Sequence, residues 1–286
     1  MSYLFDRVSR IVGRLLVVAG VIFAAATVPG SAQAQSGADL NISPKRVVFA
    51  PGERSATVYI FNQGDQPATY SVELVDRVML PDGQIAAVVD YPDAPVSSAS
   101  GLIQYTPRRV VLQPRESQSI RVRALPATGE ATEYRTHLTV TAVPPETTGL
   151  TAEAAARGED GELSLQVIAL FSVSIPVILR TGEVDSRADI EALRVVPAGG
   201  DQAMPMLAMD LIRRGANSVY GDIEVRSGDR LVGLLRGVAV YPEVDRRAIA
   251  VPLTEPLTSG ASLSITYRDD DARKGQTLAS ASLAVP

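Results

Sequence analysis

The chain has 286 residues, 46% of them hydrophobic and 21% charged, with a formal net charge of −5. That apolar content fills one large domain or two ordinary ones and excludes a disordered or fibrous chain. There is no Cys, no Trp and a single His, His137, so disulfide scaffolds, Cys/His zinc sites and multi-histidine metal centres are excluded by inventory, and the acidic balance argues against general nucleic-acid binding.

In chain order, Arg7, Arg10 and Arg14 precede an apolar stretch from Leu15 to Val28, which Pro29-Gly30 break ahead of Ala32-Gln33-Ala34. This is the layout of a secretory signal peptide, so residues 1–34 are expected to be removed after Ala34. The apolar run of ~14 residues falls short of the ~20 that span a bilayer. No second such run follows, and the exported chain is expected to be soluble.

From Leu40 onward the dominant period is two, in short runs separated by Pro, Gly, Asn and Asp, which reads as antiparallel β-structure. The expected strands are Leu40–Phe49, Ser55–Asn62, Thr69–Met79, Leu102–Leu112, Ser117–Val122 and Tyr134–Val143. Pro51-Gly52, Asn62-Gln63-Gly64 and Pro81-Asp82-Gly83 supply turn chemistry between them. This spacing predicts an immunoglobulin-like sandwich over residues 38–181. The polar, small-residue stretch 144–161 reads as a mobile loop. After a polar boundary near Gly182, residues 189–286 repeat the all-β rhythm, with runs at Ile190–Val195, Met204–Arg213, Val219–Arg226, Leu231–Val240, Ala248–Leu253, Ser262–Arg268 and Thr277–Val285. The fold class expected is all-β, two immunoglobulin-like β-sandwich domains.

One run stands apart. In residues 162–180 every odd position from Leu163 to Leu179 is apolar: Leu163, Leu165, Val167, Ala169, Phe171, Val173, Ile175, Val177 and Leu179. At ~3.3 Å per residue the row would reach about 55 Å, far beyond the ~17–20 Å of a common strand. A single sandwich cannot bury all of it, so part of the row is expected to present apolar side chains beyond its own core. Pro176 places the strand at a sheet edge or bends it. Long apolar edges are normally suppressed because they template aggregation. Keeping one makes sense if a partner's strand pairs there. The alternative is two ordinary core strands meeting at Pro176.

These features together resemble the periplasmic pilus-assembly (chaperone–usher, PapD-like) chaperones. The resemblance is carried by NISPKRVVFAPGERSATVYIFNQGDQPATY, YTPRRVVLQPRESQSIRV, EYRTHLTVTAVPPE and the long alternating strand. It covers about residues 38–181, and the C-terminal domain only by size and strand count. It implies two immunoglobulin-like domains set at an angle, a periplasmic location, pilin or fimbrial subunits and an outer-membrane usher as partners, no cofactor, and no enzymatic activity. Subunits would be capped by donor-strand complementation, with Leu163, Leu165, Val167, Ala169 and Phe171 as the lending face. If four such side chains each gain ~1.5–3 kcal/mol on burial, apolar contact supplies most of the grip.

The resemblance also implies a basic pair that holds the subunit's C-terminal carboxylate. Arg46 falls at one of its positions; Pro176 falls where the family places a Lys, leaving Lys45, Arg108 and Arg109 as candidates for the second. Arg121, Glu133 and Arg180 align with the family's interdomain salt-bridge cluster. Three solvated charges are the alternative.

Other candidate chemistry is thin. His137 alternates with Thr139 and Thr141, away from Leu138 and Val140, which predicts a surface or rim histidine. Asp269-Asp270-Asp271 could attract a cation but reads more simply as an acidic turn. Asn41-Ile42-Ser43 matches a glycosylation sequon by chance frequency. No phosphate loop, dinucleotide fingerprint or nucleophile elbow occurs. Two other classes remain: a secreted adhesin or pilin-like β-sandwich protein, and a β-sandwich enzyme acting on carbohydrate.

Overall fold

Period-two patterning is realised as strands that turn one row of side chains inward, and proline decides where several of them end. In the computed structural model, which describes residues 39–144, 171–199 and 204–285, the run Leu40–Phe49 is two strands, β1 (Leu40–Ser43) and β2 (Val47–Phe49). They are broken at Pro44 and belong to different sheets. The run Leu102–Leu112 is likewise β7 (Ile103–Thr106) and β8 (Arg109–Leu112), parted at Pro107. Proline has no N–H for a ladder, so each break falls where the chain leaves one sheet for the other.

The first sandwich adds β3 (Ser55–Asn62), β4 (Ala68–Val75), β9 (Ser117–Ala124), β10 (Glu133–Val143) and β11 (Ser172–Arg180). One sheet has the order β1-β3-β9-β7, the other β2-β11-β10-β4-β8. Their facing rows make the core, with Val58 and Ile60 against Ile120, Val72, Leu138, Val140, Ile175, Val177 and Leu179. A hairpin of β5 (Arg77–Met79) and β6 (Ile85–Ala87) continues from β4. Its turn is Pro81-Asp82-Gly83, where the Gly83 N–H bonds Leu80 O and Gly83 takes a φ of 87°, open to glycine at no steric cost.

The second sandwich pairs a sheet of β12 (Ala188–Val196), β13 (Met206–Arg213) and β16 (Arg246–Pro252) with one of β15 (Arg230–Val240), β14 (Val219–Ser227), β17 (Ser262–Asp269) and β18 (Thr277–Ala284). Its own core holds Leu207, Leu211, Ile223, Val225, Val251, Ile265 and Tyr267. The fold is therefore all-β with two immunoglobulin-like sandwiches. A small third cluster, Met79, Ile178, Ala239 and Tyr241, joins them.

Residues 1–34, the stretch 145–161 and the positions Leu163, Leu165, Val167 and Ala169 lie outside the described residues. Among the described residues no helix is long and apolar enough to cross a membrane.

Candidate functional site

The site is built along β11. Its antiparallel partner β10 runs the full length, from Glu133↔Arg180 to Thr141↔Ser172, without a register shift. The Ala142 N–H bonds Phe171 O at 2.9 Å. Antiparallel strands exchange bonds at every second residue, so Phe171, Val173, Ile175, Val177 and Leu179 bond to β10. The residues between them, Ser172, Ser174, Pro176 and Ile178, turn their backbone groups to the opposite flank.

On that flank β2 pairs in parallel, but only at Val177, Ile178 and Leu179. From Phe171 to Pro176 no strand among the described residues covers it. Pro176 thus sits at an outward-bonding position, where its missing N–H costs β10 nothing. Of the apolar row, Ile175, Val177 and Leu179 are sealed in the first core and Val173 packs against it. Phe171, half-buried, is where the row begins to leave it.

The C-terminal end of β11 is clamped by charge. Arg180 donates from Nε to Glu133 Oε2 at 3.1 Å, and both side chains are 1% exposed. The second sandwich closes around this pair. Ser218 donates its N–H and Oγ to the same Glu133 oxygen, each at 3.0 Å. Asp271 accepts from Arg180 Nη2 at 2.8 Å and from Arg46 Nη2 at 3.2 Å. Beside it, Arg135 lies 3.8 Å over the Tyr241 ring and pairs with Glu243 through Nη1, at 3.0 Å, and Nη2. Glu243 Oε1 also accepts the Met79 N–H at 2.7 Å. Buried charges are tolerated only when paired and hydrogen-bonded like this.

The structure brings together Glu133, Arg180 and Arg46, but not Arg121. Arg121 is exposed on β9, between Thr57 and Thr106 in the other sheet. The second guanidinium of the cluster is Arg46 instead, and Asp271, from the turn after β17, bridges it to Arg180, so the acidic run 269–271 is built as structure. Asp269 is buried and accepts the N–H groups of Asp271 and Arg273 at 2.7 and 3.0 Å. Among the described residues no group of His, Asp or Glu could hold a metal ion.

Arg46 is committed to Asp271, to Tyr241 Oη at 3.2 Å and to the Tyr220 ring at 4.6 Å. Lys45 is exposed and donates to Asn41 Oδ1. Arg108 and Arg109 lie at the β8 end of the sheet, and β8 is three strands, about 14 Å, from β11. That distance removes them as neighbours of the β11 flank.

His137 is not a rim residue. It is 3% exposed, on a face of β10 where Glu133 and Arg135 meet Ser218, Tyr241 and Glu243 of the second sandwich. Burial, then the Arg135, Arg77 and Arg46 charges, lower its pKa to about 3, so it is neutral at ordinary pH. Sequence reasoning missed Arg135, Ser218, Tyr241 and Glu243. One signal was available: Glu133, Arg135 and His137 share a face of a strand whose other face is core. A row of three titratable groups there implies a partner surface.

No family model matches this chain, and no curated protein matches it. Many of the solved structures to which it is similar are chaperone–usher pilus chaperones. One is the CupB2 chaperone of Pseudomonas aeruginosa, at 14% identity, covering 86% of this chain and 100% of that one, with a TM-score of 0.42. The E. coli chaperone DraB matches at 14% identity over 86% of this chain and 96% of its own, TM-score 0.43. A chain of the CsuC–CsuE chaperone–tip adhesin pre-assembly complex from archaic chaperone–usher Csu pili of Acinetobacter baumannii matches at 10% identity over 86% and 99%, TM-score 0.46.

Proposed function

We propose that this chain is a periplasmic chaperone that caps pilin-type subunits by lending them the alternating residues that lead into β11. The observation that supports the reading best is the flank of Phe171–Pro176, which β2 leaves unpaired among the described residues. Such a flank offers Ser172 and Ser174 backbone groups to an added strand, while the alternating residues that precede it, 163–171, offer apolar side chains at every second position. Main-chain bonds would give affinity, and the apolar row would set register, since a one-residue slip turns each side chain to the wrong face.

In this reading the subunit's C-terminal carboxylate docks at Arg46, taking the place of Asp271 on its guanidinium, and Lys45 is the remaining candidate for a second anchor. The Arg180–Glu133–Asp271 cluster holds the two sandwiches around the docking flank. Delivery to an outer-membrane usher completes the proposed role.

Co-expression with a pilin subunit tests this. Phe171→Asp or Val167→Asp should abolish recovery of the subunit while leaving the chaperone's unfolding midpoint unchanged. Undiminished recovery with both variants would overturn the reading.

A further inference from the structure

A groove of about 840 Å³ opens on the first sandwich, on the sheet that does not contain β11. Register places Arg121 between Thr57 and Thr106, and Arg123 between Ser55 and Gln104. Two exposed guanidiniums therefore stand among hydroxyls and an amide, and no Asp or Glu among the described residues lines the groove. Arg54, next in the chain to Ser55, donates to Leu125 O, and Arg108 stacks on the Tyr105 ring at 4.8 Å. None of these four arginines has an ion-pair partner among the described residues.

The contrast with the second sandwich is informative. There most exposed arginines are matched, Arg187 with Asp185, Arg214 with Asp189 and Glu191, Arg230 with Glu255 and Arg246 with Asp210, with Arg194 the exception among the described residues. A chain of net charge −5 that pairs most exposed arginines of one domain and lines a groove of the other with two unpaired ones, Arg121 and Arg123, carries a local positive field there.

We infer that this groove binds an extended acidic segment of a partner protein, with carboxylates at alternate positions seated on Arg121 and Arg123. Side chains two apart on a strand leave the same face about 6.8 Å apart. An extended peptide has the same repeat, so an acidic–any–acidic sequence presents one carboxylate to each guanidinium in charge-assisted bonds. The Ser55, Thr57, Thr106 and Gln104 side chains then serve the peptide backbone. The inference is independent of the strand-lending reading, because β9 and β11 belong to different sheets.

The test is fluorescence anisotropy with the purified protein and three labelled ten-residue peptides. One alternates Glu with Val, one has the same composition with its Glu residues grouped at one end, and one carries Gln for every Glu. The alternating peptide should bind, more tightly than the grouped one, with an affinity that falls steeply with salt. Arg121→Ser with Arg123→Ser should weaken it by about tenfold or more, and Arg121→Lys with Arg123→Lys should retain much of it. The lysine pair guards against a loosened strand, and subunit recovery should be unchanged in both. Equal binding of the Gln peptide, equal binding of the grouped peptide, or indifference to the serine pair would overturn the inference. So would tighter binding of anionic lipid vesicles that the serine pair abolishes, which would assign the groove to a membrane surface.

Discussion

Toward Arg180, β11 has β10 on one side, β2 on the other, its own core beneath and the second sandwich above. Toward Phe171 it keeps, among the described residues, only β10 on its flanks and the core beneath. The inward row is apolar in both halves, so that row alone does not separate a strand that is finished from one that awaits a neighbour, although the outward row changes from Ser172 and Ser174 to the buried Ile178. The neighbour's length does: β2 is three residues long, cut short on its N-terminal side by Lys45-Arg46 and Pro44. The closed half carries the charge network that fixes it, and the open half carries no ion pair among the described residues.

The largest expected effect is therefore in the closed half. Glu133→Gln leaves Arg180 buried with half its compensation gone and should cost about 3–5 kcal/mol of stability, the range for breaking a buried pair, read as a drop in denaturant midpoint. A loss under ~1 kcal/mol would mean that the pair behaves as a solvated one, and the clamp would not distinguish the two halves.

A second effect concerns pH. His137 has its pKa held at about 3 in the folded chain, against about 6.5 when unfolded. The unfolded state binds the extra proton between those values, so stability is complete above pH ~6.5 and falls as pH drops toward 3, at up to about 1.4 kcal/mol per pH unit. Arg135, Arg77 and Arg46 face this imidazole and deepen the effect. His137→Gln should flatten that part of the stability–pH curve while costing little at pH 8. An unchanged acid slope would show that carboxylates alone set it.

Much of the fold was legible because period two, proline and glycine act locally. The turns at Gly52 and Gly83 carry the positive φ that their Pro-Gly and Asp-Gly sequences call for. What was not legible was which outward face meets a second domain. His137 reads as a rim residue because it shares a face with two threonines, and the Tyr241–Glu243 segment that packs on Arg135 of the same face lies more than a hundred residues away. Arg121 was placed in the charge cluster by alignment with the family. Residues two apart on a strand share a face, but nothing in the spacing of Arg121 tells which of the two sheets holds it. Asp271 was read correctly as part of a turn, and its pairing with Arg180 and Arg46 depends on where the second sandwich sits.

The smallest effect sharpens the comparison most. Pro176 is the last residue of the open half, and the bonding alternation turns its nitrogen toward the uncovered flank. Replacing it by Ala restores an N–H there without removing any bond to β10. Stability should change by no more than about 1 kcal/mol, since losing proline mainly loosens the unfolded chain. The new donor lengthens the unpaired edge, which should raise self-association with concentration, read by light scattering. A loss beyond about 3 kcal/mol would instead mean that the pyrrolidine ring is itself a packing element. The open flank would then begin only at Ser174, one outward-bonding position nearer the lending residues.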